Sequence, residues 1–171
     1  MSDRVTSAAL GGLVMAIIGT TLGIFALQSQ IVGFFACCIP GLVGGLLAVW
    51  HYTNAKQATL LAGPAAGLGA LTGVFAFAFG IVLGYAVAFA GLAPAPFDVE
   101  AGMELAREQM LKSNPEMSDD QIDSALELSR SFVQFGWIIS LVASVLMGAI
   151  GAVIGANVFK KGPAESTSEW D

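Results

Sequence analysis

Residues 60–92 read LLAGPAAGLGALTGVFAFAFGIVLGYAVAFAGL and contain no Asp, Glu, Lys or Arg. The stretch lies within a longer interval, Val5 to Phe97, in which Lys56 is the single formally charged residue. Soluble domains are about 25% charged, whereas this chain is 12% charged and 56% hydrophobic. The sequence therefore predicts an all-α integral membrane protein, in which bilayer hydrocarbon surrounds most of these side chains.

The apolar runs predict four transmembrane helices in a single membrane domain, because a crossing needs about 20 apolar residues. The predicted spans cover about 6–27, 31–50, 60–92 and 132–159. Gln28–Gln30 is expected to form the first turn and His51–Ala58 the second, while residues 160–171 form a short polar tail.

Residues 93–131 differ in composition and separate the third and fourth predicted spans. From Asp98 to Arg130 there are nine acidic and three basic residues, which accounts for the net charge of −6. Asp98 can cap an amphipathic helix, and Ser118 with Gln121 forms the capping-box pattern of a second helix. The segment thus predicts an extramembrane amphipathic helical hairpin whose second helix continues into the fourth span.

Glycine pairs four residues apart recur in all four predicted spans. Close packing of small residues is a main source of helix association in lipid, where apolar burial alone contributes little. The spacing therefore predicts a glycine-rich bundle with helix-packing contacts at Gly19, Gly23, Gly41, Gly45, Gly69, Gly73, Gly80, Gly84, Gly151 and Gly155. A glycine-lined pore or a gating hinge is the functional alternative.

The predicted spans contain few residues that could take part in catalysis, carry protons or bind a cofactor. No ionisable residue lies within them, which argues against a proton-coupled transporter, a voltage sensor or an intramembrane hydrolase. His51, the only histidine, lies at a span boundary, where an interfacial anchor is expected and a haem ligand is the alternative. Cys37 and Cys38 are adjacent and lack metal-site spacing. We therefore expect no enzymatic activity, no cofactor and no metal site.

The second helix of the hairpin carries an acidic face. Asp119, Asp123 and Glu127 recur every four residues, with Asp120 beside them. Acidic residues in a first helical turn are favoured by the helix dipole, so a solvated face is the simplest interpretation. A docking surface for another subunit is the functional alternative, whereas calcium usually requires a loop that wraps the ion.

The basic residues predict an orientation. With four spans, one side of the membrane holds Arg4, Lys56, Lys160 and Lys161, and the other holds three basic residues in the acidic segment. The positive-inside rule then places both termini in the cytoplasm. Nucleic acid is not an expected partner, because no basic patch is available to neutralise phosphates.

The order of these features resembles an uncharacterised bacterial family of four-span inner-membrane proteins. The resemblance lies in the layout, with His51-Tyr52 ahead of the small-residue stretch Ala66-Gly67-Leu68-Gly69, then the acidic segment and the final span of type Ile138-Ile139-Ser140-Leu141-Val142. It implies location and topology and supplies no catalytic residues.

These observations favour a non-enzymatic membrane protein, an accessory or scaffold subunit that binds other membrane subunits or itself. The alternative is a small channel or transporter built from glycine-packed helices. A cofactor carrier that depends on His51 is the third hypothesis.

Overall fold

The computed structural model of the protein describes residues 2–26, 30–116 and 118–163, with helical side chains described except at 2, 26, 30–37, 128, 129 and 131–134. The described residues form five α-helices: α1 (Ser2–Ala26), α2 (Gln30–Lys56), α3 (Ala62–Phe89), α4 (Val99–Ser113) and α5 (Asp119–Val158). The chain divides into two compact units, unit 1 (Met1–Leu83 with Leu141–Asp171) and unit 2 (Gly84–Ser140). Most of the first predicted turn, the side chain of Cys37 and residues 164–171 lie outside the described part.

Within the described residues, three helices are long and apolar enough to cross a membrane, Asp3–Phe25, Ala62–Phe89 and Phe135–Val158. The prediction of four spans is therefore wrong, because the helix expected over 31–50 is not among them. Instead of ending at Trp50, α2 continues to Lys56. Most of the predicted turn at His51–Ala58 is thus helical, and this polar end makes the described part of α2 less apolar than a crossing requires.

Most residues of the three apolar helices are not buried. The share of buried residues in their most apolar windows is 28%, 28% and 22%. Large apolar side chains such as Ile17, Val74 and Ile150 are exposed, and many exposed apolar side chains together mark a membrane or protein contact. This is the surface expected of a multi-pass membrane protein.

In unit 1, α5 packs against α3 through backbone atoms. A methyl group added at Gly69 would meet the Gly148 carbonyl oxygen and the Ala152 Cβ, the latter at 2.6 Å. One added at Gly73 would meet the Ser144 carbonyl group and the Val145 Cα, also at 2.6 Å. The two helices can approach this closely only where a side chain is missing.

The same helix α5 packs against α2 on another side. An added methyl at Gly41 would meet the Met147 Cβ, and one at Gly45 would meet the Gly148 carbonyl oxygen. On α5, an added methyl at Gly151 would lie 2.5 Å from the Leu42 carbonyl oxygen, and one at Gly155 would lie 3.2 Å from the Val49 Cβ. A flat face of α5 therefore contacts both α2 and α3.

Helix α1 completes the unit. An added methyl at Gly11 would meet the Gly44 carbonyl oxygen of α2 at 2.5 Å, and one at Gly12 would meet the Phe75 Cβ of α3 at 2.7 Å. The buried core is correspondingly rich in alanine, being formed by Ala8, Ala48, Val49, Tyr52, Leu60, Ala65, Leu68, Ala152 and Ala156.

The remaining glycines of the predicted set have other surroundings. An added methyl at Gly19 would make ordinary contact with Pro40 at 3.8 Å, and one at Gly84 would meet Pro96, which follows α3, rather than a neighbouring helix. At Gly23 and Gly80, no described atom would lie within 4 Å of an added methyl. Spacing alone does not separate these positions from Gly69 and Gly73.

Unit 2 contains the end of α3, helix α4 and the start of α5. Helix α3 ends in a Schellman motif, in which Gly91 has φ +72° and the Leu92 N–H donates to the Val87 carbonyl oxygen at 3.1 Å. Asp98 caps α4 by accepting from the Ala101 N–H at 3.1 Å, and Ser118 caps α5 by accepting from the Gln121 N–H at 3.4 Å. The predicted caps of both hairpin helices are confirmed, and α5 is continuous from Asp119 to Val158.

We expect Gly73→Ala to destabilise the protein by about 1–3 kcal/mol, because the added methyl meets rigid backbone of α5. Gly80→Ala is the matched control in the same helix and is expected to be neutral or stabilising by up to about 1 kcal/mol through helix propensity. The free energy of unfolding in detergent measures both. Equal destabilisation by the two variants would contradict the assigned contacts.

Candidate functional site

The start of α1 and the end of α2 meet in a polar cluster, formed by Asp3, Arg4, Ser7, His51, Tyr52 and Lys56. The Lys56 ammonium lies 3.0 Å from the Asp3 carboxylate. Arg4 Nε donates to the Tyr52 hydroxyl at 3.1 Å, and its guanidinium lies 5.7 Å from the Tyr52 ring centroid. Tyr52 is 1% exposed, so its hydroxyl obtains in Arg4 the partner that a buried phenol requires.

Ser7 and His51 form the deepest contact of the cluster. The Ser7 side chain is fully buried; its Oγ lies 2.7 Å from the Asp3 carbonyl oxygen and 2.8 Å from His51 Nδ1. A hydroxyl has one proton, and a carbonyl oxygen can only accept. Ser7 therefore donates to Asp3, and His51 Nδ1 carries a proton that it donates to Ser7.

This arrangement places His51 between α1 and α2. Its Nδ1 links α2 to α1, as an anchoring residue does, and the neutral ring has Nε2 as the proton-free nitrogen. Among the described residues, no group of three or more His, Cys, Asp and Glu side chains is placed to hold a metal ion. The hydrogen bond to Ser7 thus accounts for the position of His51 at the junction of α1 and α2.

A second group of bonds fastens the segment after α5 to the turn after α2; we call it the clamp (Asn54, Thr59, Lys161, Gly162 and Pro163). The Thr59 hydroxyl donates to the Gly162 carbonyl oxygen at 2.9 Å and accepts from the Lys161 N–H at 3.1 Å. The Thr59 N–H donates to the Pro163 carbonyl oxygen at 3.0 Å, and Lys161 Nζ donates to Asn54 Oδ1 at 2.6 Å.

Gly162 is required for this approach. It has φ +91°, a conformation that is costly for other residues. An added methyl would also meet the Gln57 carbonyl oxygen at 2.5 Å. The clamp therefore brings the chain after α5 to the end of unit 1 at which α1 begins and α2 ends.

In unit 2, one ion-pair network includes two of the four predicted docking residues, Asp119 and Asp123. The Arg107 guanidinium of α4 lies 3.5 Å from the Asp119 carboxylate and 3.7 Å from that of Asp123. Asp120 and Glu127 are exposed and have no ion pair among the described residues. The acidic face thus holds α4 and α5 together with two carboxylates and leaves the other two available.

Helix α4 has an unusual exposure for an amphipathic helix. None of its residues is buried, and Leu111 is 42% exposed. An open groove of about 280 Å³ runs beside it, lined by Pro94, Ala101, Glu104, Leu105 and Glu108. The groove is too open to enclose a small substrate, and its lining combines apolar and acidic side chains.

Comparison of the chain with family models, with curated proteins and with solved structures finds no match. The resemblance to a bacterial inner-membrane family therefore stays a prediction, and a function has to be inferred from the geometry of the described residues.

The sequence alone does not indicate Ser7 or Thr59 as functional positions. Each hydroxyl contacts a residue distant in sequence, His51 for Ser7 and Lys161 for Thr59. No local spacing pattern reports such a contact. The one available signal is that polar residues flank each apolar run at the same end of unit 1.

We expect Ser7→Ala to destabilise the protein by about 1 kcal/mol, because His51 Nδ1–H loses its acceptor. Thr21→Ala is the control, since among the described residues that exposed hydroxyl bonds to the Ile17 carbonyl oxygen of its own helix alone; its expected effect is near zero. Nitrogen NMR of His51 at alkaline pH should show protonated Nδ1 in the wild-type chain. Protonation at Nε2 instead would contradict the assigned hydrogen bonds.

Proposed function

We propose that the protein is a non-enzymatic membrane subunit, with unit 1 as the membrane-embedded body and unit 2 as the contact surface for another membrane subunit. The observation that carries this proposal is the exposure of α4. An amphipathic helix without a single buried residue has apolar side chains that the described part of the chain leaves partly or fully exposed. Such surfaces are typical of protein contacts.

The charge of unit 2 supports a partner of a particular kind. Glu104 and Glu108 line the groove beside α4, and Asp120 and Glu127 extend the acidic surface along α5. Only Arg107 and Lys112 form ion pairs with carboxylates of this unit among the described residues. A partner segment with basic and apolar residues would complement both properties.

The glycine contacts of unit 1 favour a static body over a conducting pore. Gly45, Gly69 and Gly73 face backbone of α5, so these positions are occupied by a neighbouring helix and do not line a channel. A helix that slid or rotated at these contacts would bring side chains against backbone. The channel hypothesis is therefore the alternative, and purification of the native protein distinguishes the two.

The proposal includes the plasma membrane as the location and an orientation in which the end of unit 1 that holds the polar cluster and the clamp faces the cytoplasm. Its support is the clamp, because Thr59 and Lys161 bring residues after α5 to the end where α1 begins. Four of the seven basic residues, Arg4, Lys56, Lys160 and Lys161, lie at or next to that end. This matches the basic bias of cytoplasmic segments.

The test is purification of the tagged native chain in mild detergent, followed by measurement of subunit stoichiometry. We expect a second membrane protein at fixed stoichiometry with the wild-type chain, and its loss in Asp120→Lys/Glu127→Lys. Glu165→Lys/Glu169→Lys gives the same change in net charge and should retain the partner.

Two outcomes would overturn the proposal. One is a homo-oligomer that increases ion or solute flux in liposomes, which would establish the channel hypothesis. The other is a partner that stays bound at unchanged stoichiometry in Asp120→Lys/Glu127→Lys, although membrane insertion of the variant is intact.

A further inference from the structure

The basic end of unit 1, defined by Arg4, Lys56, Lys160 and Lys161, differs from the rest of the chain in charge. The protein as a whole has a net charge of −6. At this end, four cationic side chains are accompanied by one carboxylate, Asp3, among the described residues. The basic end is therefore a locally cationic surface on a protein whose net charge is negative.

The clamp holds the dibasic pair Lys160-Lys161 in place. The Lys161 N–H donates to Thr59 Oγ1 at 3.1 Å, and Lys161 Nζ donates to Asn54 Oδ1 at 2.6 Å. The Asn54 amide is neutral, so this bond fixes the Lys161 ammonium without neutralising it. Lys160 is exposed and has no carboxylate partner among the described residues.

The position of this cationic surface relative to the apolar helices decides which ligand fits. It lies where α1 and α3 begin and where α2 and α5 end, at the margin of the membrane-facing surface. Trp50 is 45% exposed and precedes Lys56 by six residues, about 9 Å along the helix. Exposed tryptophans are enriched at the level of lipid headgroups.

We propose that the basic end binds the anionic headgroups of the adjacent bilayer leaflet, with Lys160 and Lys161 as the principal contacts. The ligand class is an anionic phospholipid such as phosphatidylglycerol, whose acyl chains lie against the exposed apolar side chains near Trp50. The inference rests on the proposed membrane placement of unit 1. The attraction of a cation to an anionic leaflet falls off within a Debye length. Lys160 and Lys161 are held at the membrane margin, so they stay close enough to the headgroups to attract them.

The experiment uses Trp50 as the reporter, in the full chain with Trp137→Phe and Trp170→Phe. The protein is reconstituted in vesicles that contain phosphatidylcholine and phosphatidylglycerol, one of which is brominated on its acyl chains to quench tryptophan fluorescence. We expect phosphatidylglycerol to be enriched around Trp50 by about threefold or more over phosphatidylcholine. Circular dichroism verifies that the helical content is unchanged.

The variant Lys160→Gln/Lys161→Gln should reduce this enrichment to near equality. Lys112→Gln/Arg130→Gln removes the same number of charges from unit 2 and should keep it. Equal quenching by both lipids in the parent chain would overturn the headgroup proposal, whereas absence of quenching by either lipid would overturn the membrane placement itself.

Two further outcomes identify other occupants and would overturn the proposal. If inorganic phosphate at constant ionic strength abolishes the lipid preference, the ligand is a soluble anion. If the preference arises only after Glu165→Gln/Glu169→Gln/Asp171→Asn, the acidic tail of the chain occupies the basic end. Persistence of the preference in phosphate and in the parent chain supports the lipid.

Discussion

The close approach of α5 to α2 and α3 is the constraint on which unit 1 depends. At Gly69 and Gly73 on α3, and at Gly45 on α2, the nearest atom of α5 is a backbone atom. Backbone cannot move aside as a flexible side chain can, so these positions exclude even a methyl group. Since apolar burial contributes little between helices in lipid, the dispersion contacts made possible by this proximity hold the helices together.

The alanine-rich core is a consequence of the same constraint. Where the backbones nearly touch, there is room between the helices only for glycine and alanine, and the larger core residues are few, namely Val49, Tyr52, Leu60 and Leu68. Ala48, Ala65 and Ala152 are accordingly fully buried, while Ile139, Leu146 and Val82 are exposed. The large apolar side chains are on the outside because the solvent there is apolar.

Helix α2 shows how polar residues are accommodated next to this core. Its last turns carry His51, Tyr52 and Lys56, and each has a partner on α1. The polar end thus fastens α2 to α1 where glycine contacts have ended, and the clamp does the same for the segment after α5. Unit 2 uses a different principle, because Arg107 joins exposed carboxylates and such pairs contribute only about 0–1 kcal/mol.

Composition and local pattern are enough to establish that most of this chain requires an apolar solvent, that its acidic residues concentrate in one segment, and that Asp98 and Ser118 cap helices. These features depend on residues within a few positions of one another.

The end of α2 is predicted wrongly from the same information. Hydropathy changes at Trp50, but the helix continues beyond it because His51 and Tyr52 form hydrogen bonds to α1. The span predicted over 31–50 is wrong because α2 carries this polar end and is not among the described helices that are long and apolar enough to cross a membrane. Which glycines exclude a methyl group is settled by the packing of whole helices, because Gly73 and Gly80 share a spacing pattern but have different neighbours. The contacts of Ser7 with His51 and of Thr59 with Lys161 likewise join residues far apart in the chain, so they exist only once the helices are in place.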